Sequence, residues 1–252
     1  MVQPHPSSAA LDVVIPMYNE ESRLAYCMEQ LAILNTICQV RHVFFVDDGS
    51  TDDSVDHLRR LKPPPWVQIL TRPHLGKGAA VRYGLSHCQS ARVLVTDIDW
   101  SVNPSWIPQL LNAQADVVIA VREGHGARRI GEPVWRHMLG RVFNRYVQWM
   151  AMAGHADTQC GCKIVSQEAI KSLLPRLKTN GWAFDVELLA QAHICGYLVS
   201  EVPVAWFYDA DSRVRPIRDG LQMAVEVIRI RRRLKRTTVH YRSQYLHSVH
   251  SE

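Results

Sequence analysis

Short apolar runs alternate with longer segments of helical spacing over the first 121 residues. The runs, rich in β-branched residues as buried strands are, occupy residues 11–15, 43–46, 66–70, 93–97 and 116–121. The segments with helical spacing between them are residues 20–35, 51–61 and 78–88. Pro16 should end the first strand, and Ser50 or Thr51 should cap the second helix. This alternation is typical of βαβ units and predicts a mainly parallel sheet with helices on both faces.

Beyond residue 121 the regular alternation gives way to longer helical patterns. Helices are predicted over 133–153, 167–174, 184–192 and 216–236, and strands over 160–165 and 198–205. We therefore expect one α/β domain at residues 11–215, preceded by a loose tail at residues 1–10. Residues 216–252 should form a basic C-terminal helix and tail.

Composition narrows the class of protein only slightly. An apolar fraction of 47% in 252 residues supports a full hydrophobic core. The net charge of +5 suits anionic substrates, nucleic acid or an acidic membrane face. The six cysteines include no CxxC pair, which indicates reduced thiols in a cytosolic protein. No apolar run reaches the roughly 18 residues of a membrane span, and residues 1–10 lack the pattern of a signal peptide.

Acidic residues follow three of the predicted strands. They are Glu20 after the first strand, Asp47 and Asp48 after the second, and Asp97 and Asp99 after the fourth. The carboxyl ends of parallel strands share one edge of a sheet, where ligands bind in open α/β folds. Two carboxylates as close as Asp97 and Asp99 repel each other unless a cation lies between them. We expect Mg²⁺ or Mn²⁺ there, since Mg²⁺ is usually held by one or two carboxylates plus substrate phosphates. The alternative is a solvated loop or a helix cap.

A glycine-rich turn and a group of arginines indicate anion binding. Residues 76–78 (GKG) should open a helix whose N-terminal N–H groups face an anion. Lys77 is followed by glycine and not by serine or threonine, so this turn is not a Walker A loop. Arg122 and Arg136 are the preferred binders of a phosphate group, because arginine contacts phosphate oxygens in a bidentate way. Arg128 and Arg129 are expected to be solvated surface residues.

Four segments together resemble the inverting family-two glycosyltransferases of the GT-A fold. They are VIPMYNE at 14–20, VDDGSTD at 46–52, GKGAAVR at 76–82 and the DxD at 97–99. Two later segments, DTQCGCK at 157–163 and WAFDVELL at 182–189, are similar to the dolichyl-phosphate β-glucosyltransferases. The resemblance covers residues 11–236 and implies a Rossmann-like central sheet. The related mannose synthases commonly carry glutamine where this chain has Ser101, and this departure favours glucose.

The resemblance implies roles for individual residues of this chain. The nucleotide sugar would contact Pro16, Tyr18, Glu20, Asp47, Lys77, Asp97, Ile98 and Asp157. Asp99 and Asp97 would be the metal ligands, and Asp99, Arg122, Arg136 and Asp185 would be the catalytic residues. The nucleotide base would meet Asp47, with Asp48 as the turn aspartate. The alternative roles of two of these residues are structural. Glu20 would be a first-turn helix acid, and Lys77 would be a surface residue.

The implied reaction is transfer of a hexose to a polyprenyl phosphate with inversion, with glucose from UDP-glucose as the first choice. The rival readings are mannose from GDP-mannose, and transfer to a sugar or glycolipid hydroxyl with Asp185 as base. A third rival is a nucleotide-sugar-binding or nucleic-acid-binding protein without turnover. A phosphate monoester with its second pKa of about 6 is largely dianionic at neutral pH and attacks without a base.

The two longest helical segments are expected to meet a membrane. Residues 229–236 carry six basic side chains, each of which contributes about 1 kcal/mol near an anionic leaflet. Aromatic residues do not interleave with this cluster, which disfavours nucleic acid as the partner. We therefore expect a peripheral protein on the cytoplasmic face of a membrane, with a nucleotide sugar and a polyprenyl phosphate as partners. The sequence leaves the oligomeric state open, a homodimer included.

Overall fold

The computed structural model describes residues 10–150, 155, 157–209 and 216–249, and in the last helix the side chains of residues 218–235. Nine strands are found in these ranges: β1 (Leu11–Met17), β2 (Val40–Asp47), β3 (Val67–Thr71), β4 (Arg92–Val95), β5 (Val117–Val121), β6 (Arg128–Ile130), β7 (Lys163–Ser166), β8 (Val199–Pro203) and β9 (Ala205–Phe207). Most of the tail expected at residues 1–10 lies outside the described residues.

The same ranges contain eight α-helices. They are α1 (Leu24–Ile37), α2 (Ser54–Arg60), α3 (Lys77–Leu85), α4 (Ile107–Asn112), α5 (Val134–Met150), α6 (Gln167–Leu173), α7 (Phe184–Ile194) and α8 (Pro216–Val249). Short 3₁₀ turns cover Glu21–Arg23, Pro104–Trp106 and Leu174–Arg176. The sequence pattern predicted neither α4 nor β6, and α8 continues thirteen residues past the predicted end at 236.

A seven-stranded sheet in the order β3-β2-β1-β4-β7-β5-β8 forms the centre of the described chain. All neighbouring strands are parallel except β7, which runs antiparallel to both β4 and β5. β6 and β9 make a separate parallel pair. The predicted mostly parallel sheet is confirmed, and the antiparallel insertion of β7 is new.

Helices cover both faces of the sheet, as the alternation of buried side chains requires. Along β1, Val14 packs into one core cluster with residues of α3, α6, α7 and α8. Its neighbours Val13 and Ile15 pack into the other cluster, with α1, α2 and α4. Val227 and Ile230 of α8 are fully buried in the first cluster. The hydrophobic core therefore includes residues beyond 215, where the sequence pattern placed the end of the α/β domain.

Two local predictions near the first strand are wrong. β1 continues through Pro16 because the missing N–H of Pro16 is on the side of β4, and β4 has already ended there: Val95 pairs with Val14. The second helix begins at Ser54, later than expected, and neither Ser50 nor Thr51 caps it. The Ser50 hydroxyl instead accepts a hydrogen bond from the Asn19 N–H (2.8 Å).

Candidate active site

Two adjoining cavities open at the carboxyl edge of the sheet. The smaller, about 540 Å³, lies beside the ends of β1 and β2 and the start of α3. The larger, about 670 Å³, lies beside the end of β5 and between α5 and α8. Lys77, Asp97, Asp99 and Trp182 line both cavities. The two carboxylates of the DxD therefore lie at the boundary between two binding spaces.

The smaller cavity contains most of the residues predicted from the first strand. Pro16, Tyr18 and Glu20 line it, as does Ile98. The Tyr18 ring stacks on His74 with centroids 4.2 Å apart, which makes a flat aromatic surface at the cavity wall. Glu20 is bound to Arg23 at 2.7 Å, so its carboxylate has a fixed direction.

The two aspartates after β2 have different surroundings. The Asp47 carboxylate accepts a hydrogen bond from the Ser50 N–H at 3.2 Å and is turned into its own loop. Asp48 lines the smaller cavity, and its carboxylate accepts hydrogen bonds from the N–H groups of Leu75 (3.2 Å) and Gly76 (2.6 Å). Asp48, and not Asp47, therefore borders the cavity and fixes the loop that leads into α3.

The DxD carboxylates lie two and four residues beyond the end of β4. Lys77, the first residue of α3, places its Nζ 2.5 Å from Oδ1 of Asp97. Burial alone would raise the pKa of Asp97, but the Lys77 ammonium outweighs burial and holds that pKa below its usual value. The pKa of Asp99 is raised by burial and by the neighbouring Asp97 charge. Asp99 thus has less compensating positive charge than Asp97.

Gly161, in the turn before β7, allows Asp97 to take this position. A Cβ at residue 161 would overlap the Asp97 carboxylate. The antiparallel β7 brings this glycine to the DxD, because β7 pairs with β4 from the opposite direction. Among the described residues, no group of three or more histidine, cysteine, aspartate or glutamate side chains could hold a metal ion. Asp97 and Asp99 are a pair of carboxylates at the cavity boundary, and the Lys77 ammonium pairs with Asp97.

Arginines line the larger cavity. Arg122, directly after β5, donates from Nε (2.6 Å) and Nη2 (3.0 Å) to the carboxylate of Asp157. Asp157 is buried, and Arg122 holds the pKa of its carboxyl well below the ordinary value although burial opposes this. Arg136 donates to the Tyr208 hydroxyl at 3.1 Å. The two arginines preferred from the sequence are thus brought into one cavity.

Arg129 also lines the larger cavity, although the sequence suggested a solvated surface residue. It is paired with Glu132 at 2.8 Å and with Glu123 at 3.1 Å. Its guanidinium lies 5.8 Å from the Trp206 ring, and that of Arg122 lies 5.3 Å from the same ring. Arg128, by contrast, is exposed as expected.

Asp185 lines the larger cavity at the start of α7 and is paired with Lys163 at 2.9 Å. Lys163 is fully buried, and its ammonium also donates to the Cys160 carbonyl. The Asp185 carboxylate is therefore engaged by a buried ammonium.

Apolar side chains of α5 and α8 also line the larger cavity. Leu139, Val142 and Phe143 of α5 line it, together with Leu221 and Met223 of α8. On the outer side of α5 the apolar side chains continue into solvent. The exposed ones are Val134, Trp135, Met138, Leu139, Val142 and Trp149, of which Val134 and Trp149 are 75% exposed. Among the described residues, no helix is both long and apolar enough to cross a membrane.

The sequence suggested one basic cluster on α8, but the side chains of this cluster have different surroundings. Arg233 is partly exposed and pairs with the buried Glu187 at 2.9 Å, and Arg231 lies over the Trp149 ring at 5.8 Å. The cluster members exposed to solvent are Arg229, Arg232 and Lys235. The side chain of Arg236 lies outside the described residues.

Several lining residues were missed by sequence reasoning. Trp182, Trp206 and Tyr208 form aromatic walls, and Gln222 and Glu226 of α8 border the smaller cavity. Trp182 stands in a segment that the sequence singled out by resemblance, so a signal for it existed. No sequence signal pointed to Gln222 or Glu226 of α8, because the spacing of apolar residues in a helix does not show which part of the molecule the helix packs against.

Comparisons with a family model and with related sequences both find glycosyltransferases. The model of the family described as Glycosyl transferase family 2 matches residues 12–174. The chain is 30% identical over 245 residues to dolichyl-phosphate beta-glucosyltransferase of Mus musculus, covering 88% of this chain and 75% of that protein. It is 29% identical over 242 residues to dolichyl-phosphate beta-glucosyltransferase ALG5C of Trichomonas vaginalis, covering 89% and 72%.

Solved structures show the same fold. Glucosyl-3-phosphoglycerate synthase from Mycobacterium tuberculosis, in complex with Mn²⁺, uridine diphosphate and phosphoglyceric acid, superposes with a TM-score of 0.69. The alignment covers 90% of this chain and 79% of that one at 20% identity. The predicted GT-A architecture is thereby confirmed.

Proposed function

Because this chain belongs to glycosyl transferase family 2 and is therefore a glycosyltransferase, we propose that it transfers glucose from UDP-glucose to a dolichyl-type polyprenyl phosphate. One observation carries the proposal. A cavity with acidic side chains and an aromatic wall meets, at Asp97 and Asp99, a second cavity that is lined by arginines and by apolar side chains of α5 and α8. The names of the relatives support glucose and dolichyl phosphate as the reactants.

The nucleoside of the donor would occupy the smaller cavity. Tyr18 and its partner His74 offer a stacking surface for a base, and Glu20 offers an acceptor to ribose hydroxyls. The base contact predicted for Asp47 is better assigned to Asp48, which borders the cavity. Lys77, the first residue of α3, would face the diphosphate. A bound uridine diphosphate in a structural neighbour supports this class of donor.

The residues present fit a divalent cation. Asp97 and Asp99 provide two carboxylates at the cavity boundary, and Mg²⁺ typically completes such a site with substrate phosphates and water. When bound, Mg²⁺ or Mn²⁺ would stabilise the charge that develops on the departing nucleotide. The raised pKa of Asp99 indicates a site that gains from additional positive charge.

The acceptor phosphate would lie in the arginine-lined part of the larger cavity. Arg136 and the remaining N–H groups of Arg122 would orient its oxygens, one of which attacks C1 of the sugar from the face opposite the diphosphate. No proton has to be removed, because the monoester is largely dianionic at neutral pH. A sugar hydroxyl, by contrast, needs a base.

The prenyl chain would leave between α5 and α8, along Leu139, Val142 and Leu221, toward a membrane surface. The exposed apolar face of α5 supports this direction. Three exposed basic residues of α8 would add about 3 kcal/mol at an anionic leaflet, half of what the six counted in the sequence suggested. We therefore propose α5 as the main membrane contact. Val142→Glu should reduce flotation with anionic liposomes, and Tyr26→Glu on the exposed side of α1 serves as control.

A donor panel tests the reaction itself. UDP-glucose, GDP-mannose and UDP-galactose would each be incubated with farnesyl phosphate and Mg²⁺ or Mn²⁺, and the lipid product analysed by mass spectrometry and NMR. We expect a β-linked glucosyl phosphate from UDP-glucose, and its loss in Asp99→Asn with an unchanged melting temperature. Transfer of mannose alone would identify the rival donor, and transfer only to a hydroxyl acceptor would contradict the assignment of the larger cavity.

A further inference from the structure

The inner face of α8 borders both cavities. Gln222 and Glu226 line the smaller one, and Leu221 and Met223 line the larger one. The helix is fixed in this position by Val227 and Ile230, which are fully buried in the core next to α7. The beginning of α8 is therefore a rigid wall of the candidate active site.

Glu226 contacts the loop that precedes α7. Its Oε2 accepts a hydrogen bond from the Ala183 N–H at 3.0 Å, and its carboxylate covers Gly181 so closely that a Cβ there would overlap Oε1. The negative charge also lies at the N-terminal end of α7, where the helix dipole favours it. These contacts are on either side of Trp182.

Trp182 stands at the boundary of the two cavities. It lines both, and the Nζ of Lys77 lies 5.5 Å from its ring centre, while the same ammonium pairs with Asp97. Any sugar passing from the donor cavity to the acceptor cavity would lie next to this indole. Its position thus bears on the reacting sugar more than on the nucleoside, which would lie beside Tyr18.

The earlier half of the same loop is anchored elsewhere. The N–H groups of Lys178 and Thr179 donate to Glu187 (2.8 and 2.6 Å), and Arg82 donates to the Thr179 carbonyl at 2.7 Å. The loop can therefore keep its first half in place when the contact to Glu226 is removed. Removing that contact should release the half that carries Trp182.

We infer that Glu226 is a positioning residue, which holds residues 181–183 so that the Trp182 indole supports the sugar at the cavity boundary. The inference rests on the proposed function for its kinetic consequences. It assigns to α8 a part in sugar transfer that is separate from any membrane contact.

A double-mutant cycle with Gly181 tests this role. Glu226→Ala should lower kcat about tenfold, as misplacement of a positioning group does, and leave the affinity for UDP within about twofold. Glu226→Gln keeps an acceptor for Ala183 and should stay within about threefold of the wild-type kcat. Gly181→Ala should lower kcat about fivefold in the wild type and less than about twofold in Glu226→Ala, because the overlapping carboxylate is then absent. Glu29→Ala, a solvent-facing acid of α1, is the control.

Equal losses of kcat and UDP affinity, or additive effects of the two substitutions, would overturn the inference. Hydrogen–deuterium exchange gives a readout without any substrate. The peptide containing residues 181–184 should exchange faster in Glu226→Ala than in Glu226→Gln, while α3 peptides stay unchanged. If the wild type transfers no sugar, the proposed function fails, and the exchange result alone then decides on Glu226: unchanged protection would refute its role.

Discussion

The buried pair between Arg122 and Asp157 offers the sharpest quantitative prediction. Asp157 is 3% exposed and accepts hydrogen bonds from the Arg122 side chain and from the backbone N–H groups of Arg122 (3.2 Å) and Gln159 (3.1 Å). Asp157→Asn keeps the shape and one acceptor oxygen but leaves the guanidinium without a counter-charge. Breaking a buried pair in this way costs about 3 kcal/mol at the lower end, or roughly 6–12 °C in melting temperature for a chain of this size.

The companion variant removes both charges. In Arg122→Met/Asp157→Asn no uncompensated guanidinium remains, and the asparagine oxygen still accepts from the backbone, so at least half of the lost stability should return. Sugar transfer should not return, because the proposed phosphate contact is gone. Asp56→Asn is the matched control: its pair with Arg59 is 2.9 Å long but exposed, and exposed pairs contribute about 0–1 kcal/mol.

The stability lost in Asp157→Asn changes with pH in a defined direction. The pKa of Asp157 is lower in the folded chain than in the unfolded chain, so its stabilisation is complete above the unfolded value of about 4 and declines at lower pH. The difference in melting temperature between wild type and Asp157→Asn, measured by scanning calorimetry, should be constant from pH 6 to 8 and shrink below about pH 4. A single-variant loss under about 2 °C at pH 7, or a double variant less stable than the single, would refute the reasoning.

The remaining predictions concern the DxD, the acceptor and the thiols. Gly161→Ala should displace Asp97 and lower turnover more than about tenfold with little change in melting temperature; turnover within about twofold of the wild type would contradict this. Arg136→Met should raise the KM for farnesyl phosphate while leaving UDP affinity unchanged, and a parallel loss of UDP affinity would show the assignment to be wrong. Burial raises the pKa of Cys160 to about 11, so iodoacetamide at pH 8 should label it only after unfolding, as peptide mass spectrometry would show.

Much of the fold follows from local pattern. The apolar runs that became β1, β2, β3, β4 and β5 are short and bounded by turn residues, and such runs indicate strands wherever they lie. The acids after β1, β2 and β4 had to meet at one edge once those strands were parallel. Pro16 was misjudged because its effect depends on the length of the neighbouring strand, which no local rule contains.

The pattern of apolar and polar residues could not predict which side chains contact each other. Arg122 and Asp157 are 35 residues apart and Glu226 and Ala183 are 43 apart, so their contacts depend on how the whole chain folds. The antiparallel β7 decided that Gly161 lies at Asp97 and that Lys163 engages Asp185. The same long-range packing made Arg129 a cavity residue.

The amino-acid sequence by itself determined the alternation of strands and helices, the acidic edge and the family, because periodicity and short motifs are local properties of the chain. The tertiary structure alone decided which charges neutralise each other, where the two cavities join and that α8 forms part of their wall. Those features arise from packing between distant segments, and the free energy of such contacts depends on burial and distance, which the order of residues does not record.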